Sequence, residues 1–231
     1  MLGWMHYLGR GTVRDQLKGV KTIRDSRSDL FPLGESECLA FSDNTFSDSS
    51  VACRFFELCQ LGSERDWLCK HLMAVCVFFG FGTSRDQKKA VGIFERLASN
   101  GNCINQVWLG RCYYWGLGVS IDHAAAIQWY TLAANQGDPY GQWELGRCYY
   151  WGRTIANDFV KAAETFRKSA EQGNRYAQWY LGRCYETGEG VSKDIGIALD
   201  WYRKAADQDL LWAIHSVKEL QSKPRSICPT Q

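Results

Sequence analysis

The chain has 231 residues, of which 45% are hydrophobic and 23% are charged. This is the composition of an ordinary globular protein that can bury a core, and it excludes wholesale disorder and collagen-like fibres. The 27 basic and 25 acidic side chains leave a formal charge of +2, which argues against a dedicated nucleic-acid or membrane-surface binder.

Motifs for membrane insertion, metal binding and catalysis are missing from the sequence. No stretch reaches the roughly 18 to 20 apolar residues that cross a bilayer, and the N-terminus lacks the apolar centre of a signal peptide. The ten cysteines include no CxxC pair, so we expect no metal site and reduced thiols. Loops of the GxxxxGK[ST], GxSxG and HExxH types do not occur. We therefore expect a cytoplasmic protein that uses no cofactor, while catalysis by a cysteine and a histidine stays open at this point.

The first predicted element is part of a helical repeat. Residues 2–12 read LGWMHYLGRGT and align with LGRCYYWGLGV at residues 109–119. The apolar residues Leu17, Val20 and Ile23 follow at helical spacing. The chain thus begins inside a degenerate repeat, and an end of this kind favours self-association through the N-terminal repeat or indicates a truncated gene product.

A polar segment rich in serine and aspartate follows this repeat. Residues 24–50 are predicted to hold a poor first helix and an extended loop. The apolar sequence VACRFFELCQLG at residues 51–62 resembles the second half of a repeat. We therefore treat residues 1–62 as degenerate N-terminal repeats.

A period of 36 residues runs through the remainder of the chain. The string LGRCYYWG occupies residues 109–116 and 145–152, and LGRCY returns at residues 181–185. The same period relates two sets of residues, Gly80, Gly116, Gly152 and Gly188, and Asp86, Asp122, Asp158 and Asp194. Residues 63–222 are therefore predicted to be a regular array of repeats.

Each repeat is predicted to contain two helices. Leu109, Cys112 and Tyr113 have helical spacing and form the apolar stripe of the first helix, which Gly116 ends. Asp122 lies where its carboxylate can cap the second helix. The apolar stripe of that second helix consists of Ala126, Trp129, Tyr130 and Ala133.

A glycine inside each first helix predicts close packing between helices. Gly110, Gly146 and Gly182 each cost up to ~1 kcal/mol relative to alanine in helix propensity. We expect a neighbouring helix to approach each glycine, with Trp129 or its equivalent filling the space beside it.

These positions resemble the Sel1-like repeat, a relative of the tetratricopeptide repeat. One regular unit carries the pattern at Leu109, Gly110, Tyr113, Gly116, Gly118, Val119, Asp122, Trp129, Tyr130, Ala133, Ala134, Gln136 and Gly137. The resemblance implies an all-α fold, an α-solenoid in which about six antiparallel helix-turn-helix repeats form a right-handed superhelix. It also implies a non-enzymatic adaptor or scaffold that binds proteins through its concave face, as in signalling, quality control or chitin synthase activation.

A cysteine-rich subtype of the same family offers an alternative. Its secreted bacterial members staple each helix pair with a disulfide and were linked to β-lactamase chemistry. This chain has alanine where the second-helix cysteine is expected, at Ala134, Ala170 and Ala206. The resemblance therefore favours the adaptor over a cysteine-rich repeat hydrolase.

A candidate binding strip lies opposite the apolar stripe of the first helices. At ~100° per residue, three positions of each first helix fall on that face. They are Val107, Arg111 and Tyr114, then Trp143, Arg147 and Tyr150, then Trp179, Arg183 and Glu186. Tryptophan, tyrosine and arginine dominate interface hot spots, so the strip predicts an acidic or aromatic protein or peptide partner.

Two other interpretations of this strip stay open. The tryptophans could pack against the preceding helix as core residues, whereas the arginines are harder to bury because a desolvated guanidinium needs a paired acid. The same side chains could stack bases and pair phosphates of single-stranded RNA. The near-neutral charge argues against RNA, so we expect no nucleic-acid partner.

The C-terminal tail, residues 223–231, contains one further candidate. Cys228 stands four residues from a terminal glutamine, which fits a prenylation motif in outline. Pro229 and Thr230 are poor middle residues for that motif, and a chance placement is the alternative. We expect membrane tethering only if Cys228 is prenylated.

Overall fold

A computed structural model describes residues 16–25, 50–152 and 156–222 of the chain. These residues form eleven α-helices and contain no β-strand. In chain order the helices are α1 (Gln16–Asp25), α2 (Ser50–Gly62), α3 (Trp67–Phe79), α4 (Gln87–Ser99), α5 (Cys103–Trp115), α6 (His123–Asn135), α7 (Pro139–Trp151), α8 (Phe159–Glu171), α9 (Arg175–Thr187), α10 (Ile195–Ala206) and α11 (Leu211–Ser222).

The helices follow the period found in the sequence. The first helices α3, α5, α7, α9 and α11 begin at residues 67, 103, 139, 175 and 211. The second helices α4, α6, α8 and α10 begin at residues 87, 123, 159 and 195. Each set repeats every 36 residues, which confirms the predicted pair of helices in each repeat.

The chain divides into two compact units, Met1–Gly141 and Gln142–Gln231. In the first unit, each helix from α2 to α5 packs against the helix that follows it. In the second unit, α8 packs against α9, α9 against α10 and α10 against α11. Packing of successive helices is the construction of an all-α solenoid, and this predicted fold class is confirmed.

Parts of the predicted domain organisation lie outside the described residues. These parts are residues 1–15 of the N-terminal repeat, residues 26–49 of the polar segment, and the tail at 223–231 with Cys228. The predicted boundaries after residues 62 and 222 therefore stay predictions.

The residues predicted to start and end the helices do so. One carboxylate oxygen of each aspartate that precedes a second helix accepts a hydrogen bond from the amide three residues later, at 2.9 to 3.0 Å. These aspartates are Asp86, Asp122, Asp158 and Asp194. Gly116 ends α5 in the left-handed conformation, with φ of 69°.

First and second helices differ in how much of their surface they bury. In α5 every residue from 104 to 112 is buried, whereas α6 buries only Ala126, Tyr130 and Ala133. The first helix is enclosed because it packs against α4 and α6 and also contacts α3, where His71 lies 3.0 Å from Asn105. The prediction of a single apolar stripe on the first helix was therefore too narrow.

The glycines inside the first helices lie against aromatic rings, as predicted. Each ring, however, belongs to the residue that follows the predicted position, which is Trp129 in the repeat that contains Gly110. A Cβ atom on Gly110 would come within 2.5 Å of the Tyr130 ring. Gly146 and Gly182 face Phe166 and Tyr202 in the same way, each at 2.7 Å. The expectation that Trp129 fills this space was wrong, because Tyr130 points inward from α6 and is 1% exposed.

Candidate protein-binding groove

Four residues of the predicted strip are buried. Val107 and Arg111 are each 1% exposed, Tyr150 is 3% exposed and Trp143 is 7% exposed. The ring of Trp143 stacks on Tyr176 of α9, with 4.7 Å between centroids and 22° between planes. The expectation that these four side chains line an open surface was therefore wrong, since the first helices are enclosed by their neighbours.

Arg111 is buried although a guanidinium was expected to resist burial. The carboxylate of Asp138 lies nearby, and it is itself buried. Burial raises the pKa of Asp138, whereas the amide of Gly141, which donates to Oδ1 at 2.8 Å, and the positive charge of Arg111 lower that pKa. The Asp138 carboxylate is thus close enough to Arg111 for their charges to interact, which partly offsets the cost of burying the guanidinium.

Tyr114 keeps part of its surface exposed but stands apart from the other strip residues of the first unit. Its ring packs edge-on against Trp115 at 4.9 Å and lies 4.9 Å from the ring of His123. Because Val107 and Arg111 are buried, this unit presents one residue of the strip and no continuous surface formed from it.

Arg147 is neutralised inside its own helix. Its Nη1 lies 2.8 Å from the carboxylate of Glu144, which is 6% exposed, and its Cζ lies 5.3 Å from the centroid of the Trp143 ring. This buried carboxylate supplies the negative charge that a packed guanidinium requires. Arg147 is therefore a structural ion pair more than a binding residue.

The last three residues of the strip line an open groove in the second unit. The groove has a volume of about 800 Å³ and runs between α9 and α11. Its lining includes Trp151, Trp179, Arg183, Glu186, Tyr202 and Trp212. We call this site the Arg183 groove.

Arg183 is held in the groove by aromatic rings. Its Cζ lies 5.6 Å from the centroid of Tyr150, 5.7 Å from that of Trp151 and 5.8 Å from that of Trp179. Among the residues that the structure describes, it makes no ion pair and its side chain makes no hydrogen bond. The reason lies in the repeat, because Tyr180 stands where Glu144 stands beside Arg147. The guanidinium donors of Arg183 are thus not used within the described residues.

Several other polar groups of the groove form hydrogen bonds with one another. Trp179 donates from Nε1 to Ser216 Oγ at 3.1 Å, and the Tyr202 hydroxyl donates to Glu186 at 2.7 Å. Burial, together with this hydrogen bond, raises the pKa of Tyr202 well above its usual value. The Tyr202 phenol therefore stays protonated and fixes the Glu186 carboxylate.

Four tryptophan and tyrosine residues of the lining were not predicted from the sequence, namely Trp151, Tyr180, Tyr202 and Trp212. Trp212 and Trp151 are 55% and 46% exposed, and Tyr202 closes the groove from α10. Trp212 stands 36 residues after Tyr176, so the period places both on the same face of successive first helices. That relation is the signal that could have identified Trp212.

The cysteines of the described residues form no disulfide. All eight cysteines of the described residues are free thiols, and no group of side chains in the described part of the chain could hold a metal. Burial raises the pKa of Cys112, Cys148 and Cys184 to about 12. No helix within the described ranges is long and apolar enough to cross a membrane.

Iodoacetamide at pH 8 is expected to modify Cys148 about 1,000-fold more slowly in the folded chain than in the urea-unfolded chain. The reason is that iodoacetamide reacts with the thiolate, and a thiol with a pKa of about 12 is only ~10⁻⁴ ionised at this pH. Peptide-resolved mass spectrometry measures both rates. Cys53, which is partly exposed, serves as the control and should show a much smaller difference. Equal labelling rates of Cys148 in the two states would contradict the burial.

Comparison with known proteins identifies the repeat. The family model of the Sel1 repeat matches residues 1–21, 68–102, 106–138, 139–174 and 175–210. The structure is similar to that of a Sel1 repeat protein from Oxalobacter formigenes, with a TM-score of 0.69 and 23% identity, covering 100% of this chain and 80% of that chain.

A second solved structure shows the same likeness over a longer protein. It is c5321, a protective antigen present in uropathogenic Escherichia coli strains that displays an SLR fold. The TM-score is 0.65 at 26% identity, covering 95% of this chain and 47% of the antigen. The chain thus spans about half the length of that protein. A comparison with curated protein sequences found no match.

Proposed function

We propose that this chain, which belongs to the Sel1 repeat family, is a non-enzymatic adaptor that holds a segment of another protein in the Arg183 groove. Sel1 repeat proteins are generally protein-interaction scaffolds, and their fold is generally non-catalytic. The described cysteines are free thiols, which supports a reducing setting such as the cytoplasm. Attachment to a membrane remains tied to prenylation of Cys228.

The observation that supports this proposal is the environment of the Arg183 guanidinium. A guanidinium packed among three rings and without an ion pair among the described residues is prepared for an anionic group of a partner. Partly exposed tryptophans beside it provide the apolar contact area typical of interface hot spots. Arg147, in the equivalent position, is not prepared for a ligand in this way because its guanidinium is paired with the Glu144 carboxylate.

The same groove is a poor site for single-stranded RNA. Glu186 and Glu219 line it together with Arg183, so two carboxylates face one guanidinium. Phosphates would be repelled by this charge balance, whereas RNA binding relies on grooves of positive charge.

The test is photo-crosslinking from the groove. We expect p-benzoylphenylalanine in place of Leu211, which is 76% exposed at the groove, to capture one protein partner in cells. Trp212→Ala and Arg183→Gln should each lower that capture about tenfold or more, the loss typical of a hot-spot residue. The same photo-reactive residue in place of Val160, which is 56% exposed outside the groove, should not capture this partner.

Arg203→Gln is the matched control, because Arg203 lies in the same unit and forms only an exposed pair with Asp200. It should leave capture unchanged. Capture that is independent of both Arg183 and Trp212 would show that the partner binds elsewhere.

A further inference from the structure

We infer that the Arg183 groove takes a short extended peptide segment with one acidic side chain in its middle, an apolar side chain on one side and a basic or uncharged side chain on the other. This inference rests on the proposed function and specifies the partner's chemistry. It follows from the order in which apolar, positive and negative groups occur along the groove.

The direction of the groove is fixed by contacts between α9 and α11. The ring centroids of Tyr176 and Trp212 lie 6.4 Å apart. Further along both helices, Trp179 Nε1 donates a hydrogen bond to Ser216 Oγ. Because the residue numbers of the contacting residues increase along both helices in the same direction, α9 and α11 run parallel. Groups at equal distances along α9 and α11 therefore lie at the same end of the groove.

The length of the groove suits about four residues of an extended peptide. Along α9 the lining runs from Trp179 to Thr187, which at 1.5 Å per residue is about 12 Å. An extended chain covers that distance in about four residues. Arg183 lies midway, so its partner carboxylate belongs to a side chain within the segment, with peptide continuing on both sides, and not to a chain terminus.

The N-terminal ends of α9 and α11 make one end of the groove apolar. Leu211 and Trp212 are 76% and 55% exposed there, and the Trp179 ring lies 5.7 Å from that of Trp212. The indole N–H of Trp179 is already taken by Ser216. This end therefore offers mainly ring and aliphatic surface, which suits a large apolar side chain.

The opposite end carries two carboxylates. Glu186 follows Trp179 by seven residues, and Glu219 follows Trp212 by seven residues, which is about 10 Å along each parallel helix. The Tyr202 hydroxyl holds the Glu186 carboxylate in place. A second acid on the ligand would meet like charge here, so the groove discriminates against polyacidic segments while accepting one acid at Arg183.

Blocked synthetic peptides on the full chain test this inference. The probe carries leucine, phenylalanine, aspartate and lysine in this order between Gly-Ser flanks, and a second probe carries the reverse order because the direction of binding is open. Isothermal titration in 150 mM salt measures the dissociation constant. Replacing the aspartate by asparagine should weaken binding of the better probe about tenfold, because a charged partner of the guanidinium is lost. Replacing the lysine by aspartate should weaken it about fivefold.

Protein variants assign these effects to residues. Arg183→Gln should remove the preference for aspartate over asparagine, and Arg183→Lys should retain part of it. Arg203→Gln should bind as the unmodified chain does. If the far-ultraviolet circular dichroism of Arg183→Gln shows a loss of fold, the Arg183→Lys variant and the peptide comparison on the unmodified chain decide.

The outcomes separate this inference from the proposed function. Equal binding of the aspartate and asparagine probes would overturn the inference. Tighter binding of the probe in which aspartate replaces the lysine, or no binding of any probe at 1 mM peptide, would also overturn it. The proposed function would still stand in each case if photo-crosslinking at Leu211 depends on Trp212. Loss of that dependence would end the proposed function instead.

Discussion

Trp108→Ala is expected to lower the free energy of unfolding by about 3 to 5 kcal/mol, the range for removing a large aromatic side chain from a core. Trp108 is fully buried in the first unit, where its ring stacks on Phe94 at 5.0 Å and 29°. Phe78 and Phe79 approach it edge-on at 5.4 and 5.9 Å. Alanine would leave a cavity among three rings that belong to α3 and α4, so a shift of one side chain cannot restore the lost contacts.

Trp115→Ala in the same helix is the matched control. Trp115 is 46% exposed, so its removal should cost less than about 1 kcal/mol. Urea titration followed by circular dichroism at 222 nm measures both changes. Equal costs for the two variants would mean that the aromatic cluster around Trp108 does not stabilise the unit.

The repeat period made most of the fold predictable. The start of each second helix after its aspartate cap and the left-handed turn at Gly116 follow from residues that recur every 36 positions. The Sel1-like resemblance is confirmed by the family match. Local signals of this kind act within one turn of helix, so a single sequence is sufficient to find them.

Burial of the first helices could not be predicted from one helix alone. Trp108 lies off the stripe drawn through Leu109 and Cys112, and yet it is fully buried. An apolar stripe identifies only one contact face, whereas α5 is enclosed by α3, α4 and α6. The strip residues Val107 and Arg111 were misplaced for the same reason.

The candidate site depended on one substitution within the repeat. Arg147 and Arg183 are equivalent in the period, but the residue three positions earlier is Glu144 in one case and Tyr180 in the other. The spacing of Glu144 and Arg147 is that of a helical ion pair, so neutralisation of Arg147 could have been predicted. The ring cage around Arg183 could not, because Tyr150 and Trp151 come from another helix.

Gly190→Ala is expected to lower the free energy of unfolding by about 3 kcal/mol, through positive-φ strain of about 1 kcal/mol or more and overpacking of about 1 to 3 kcal/mol. Gly190 has φ of 74°, and a Cβ atom there would overlap the backbone carbonyl of Phe159 at the start of α8. Backbone atoms at a capped helix start cannot move aside as a flexible side chain can. Gly190, the second glycine of the turn that begins at Gly188, is thus required by the close approach of two backbones as well as by its positive φ.

Gly137→Ala separates the two causes. Gly137 has a similar φ of 80°, but a Cβ atom there would have no atom within 4 Å. Its substitution should therefore cost only the conformational part, about 1 kcal/mol. Urea unfolding of both variants gives the difference, which we attribute to the contact with Phe159. If Gly190→Ala costs no more than Gly137→Ala, the turn after α9 and the start of α8 are not in contact. The stacking of repeats in the second unit would then have to rest on the helix faces alone.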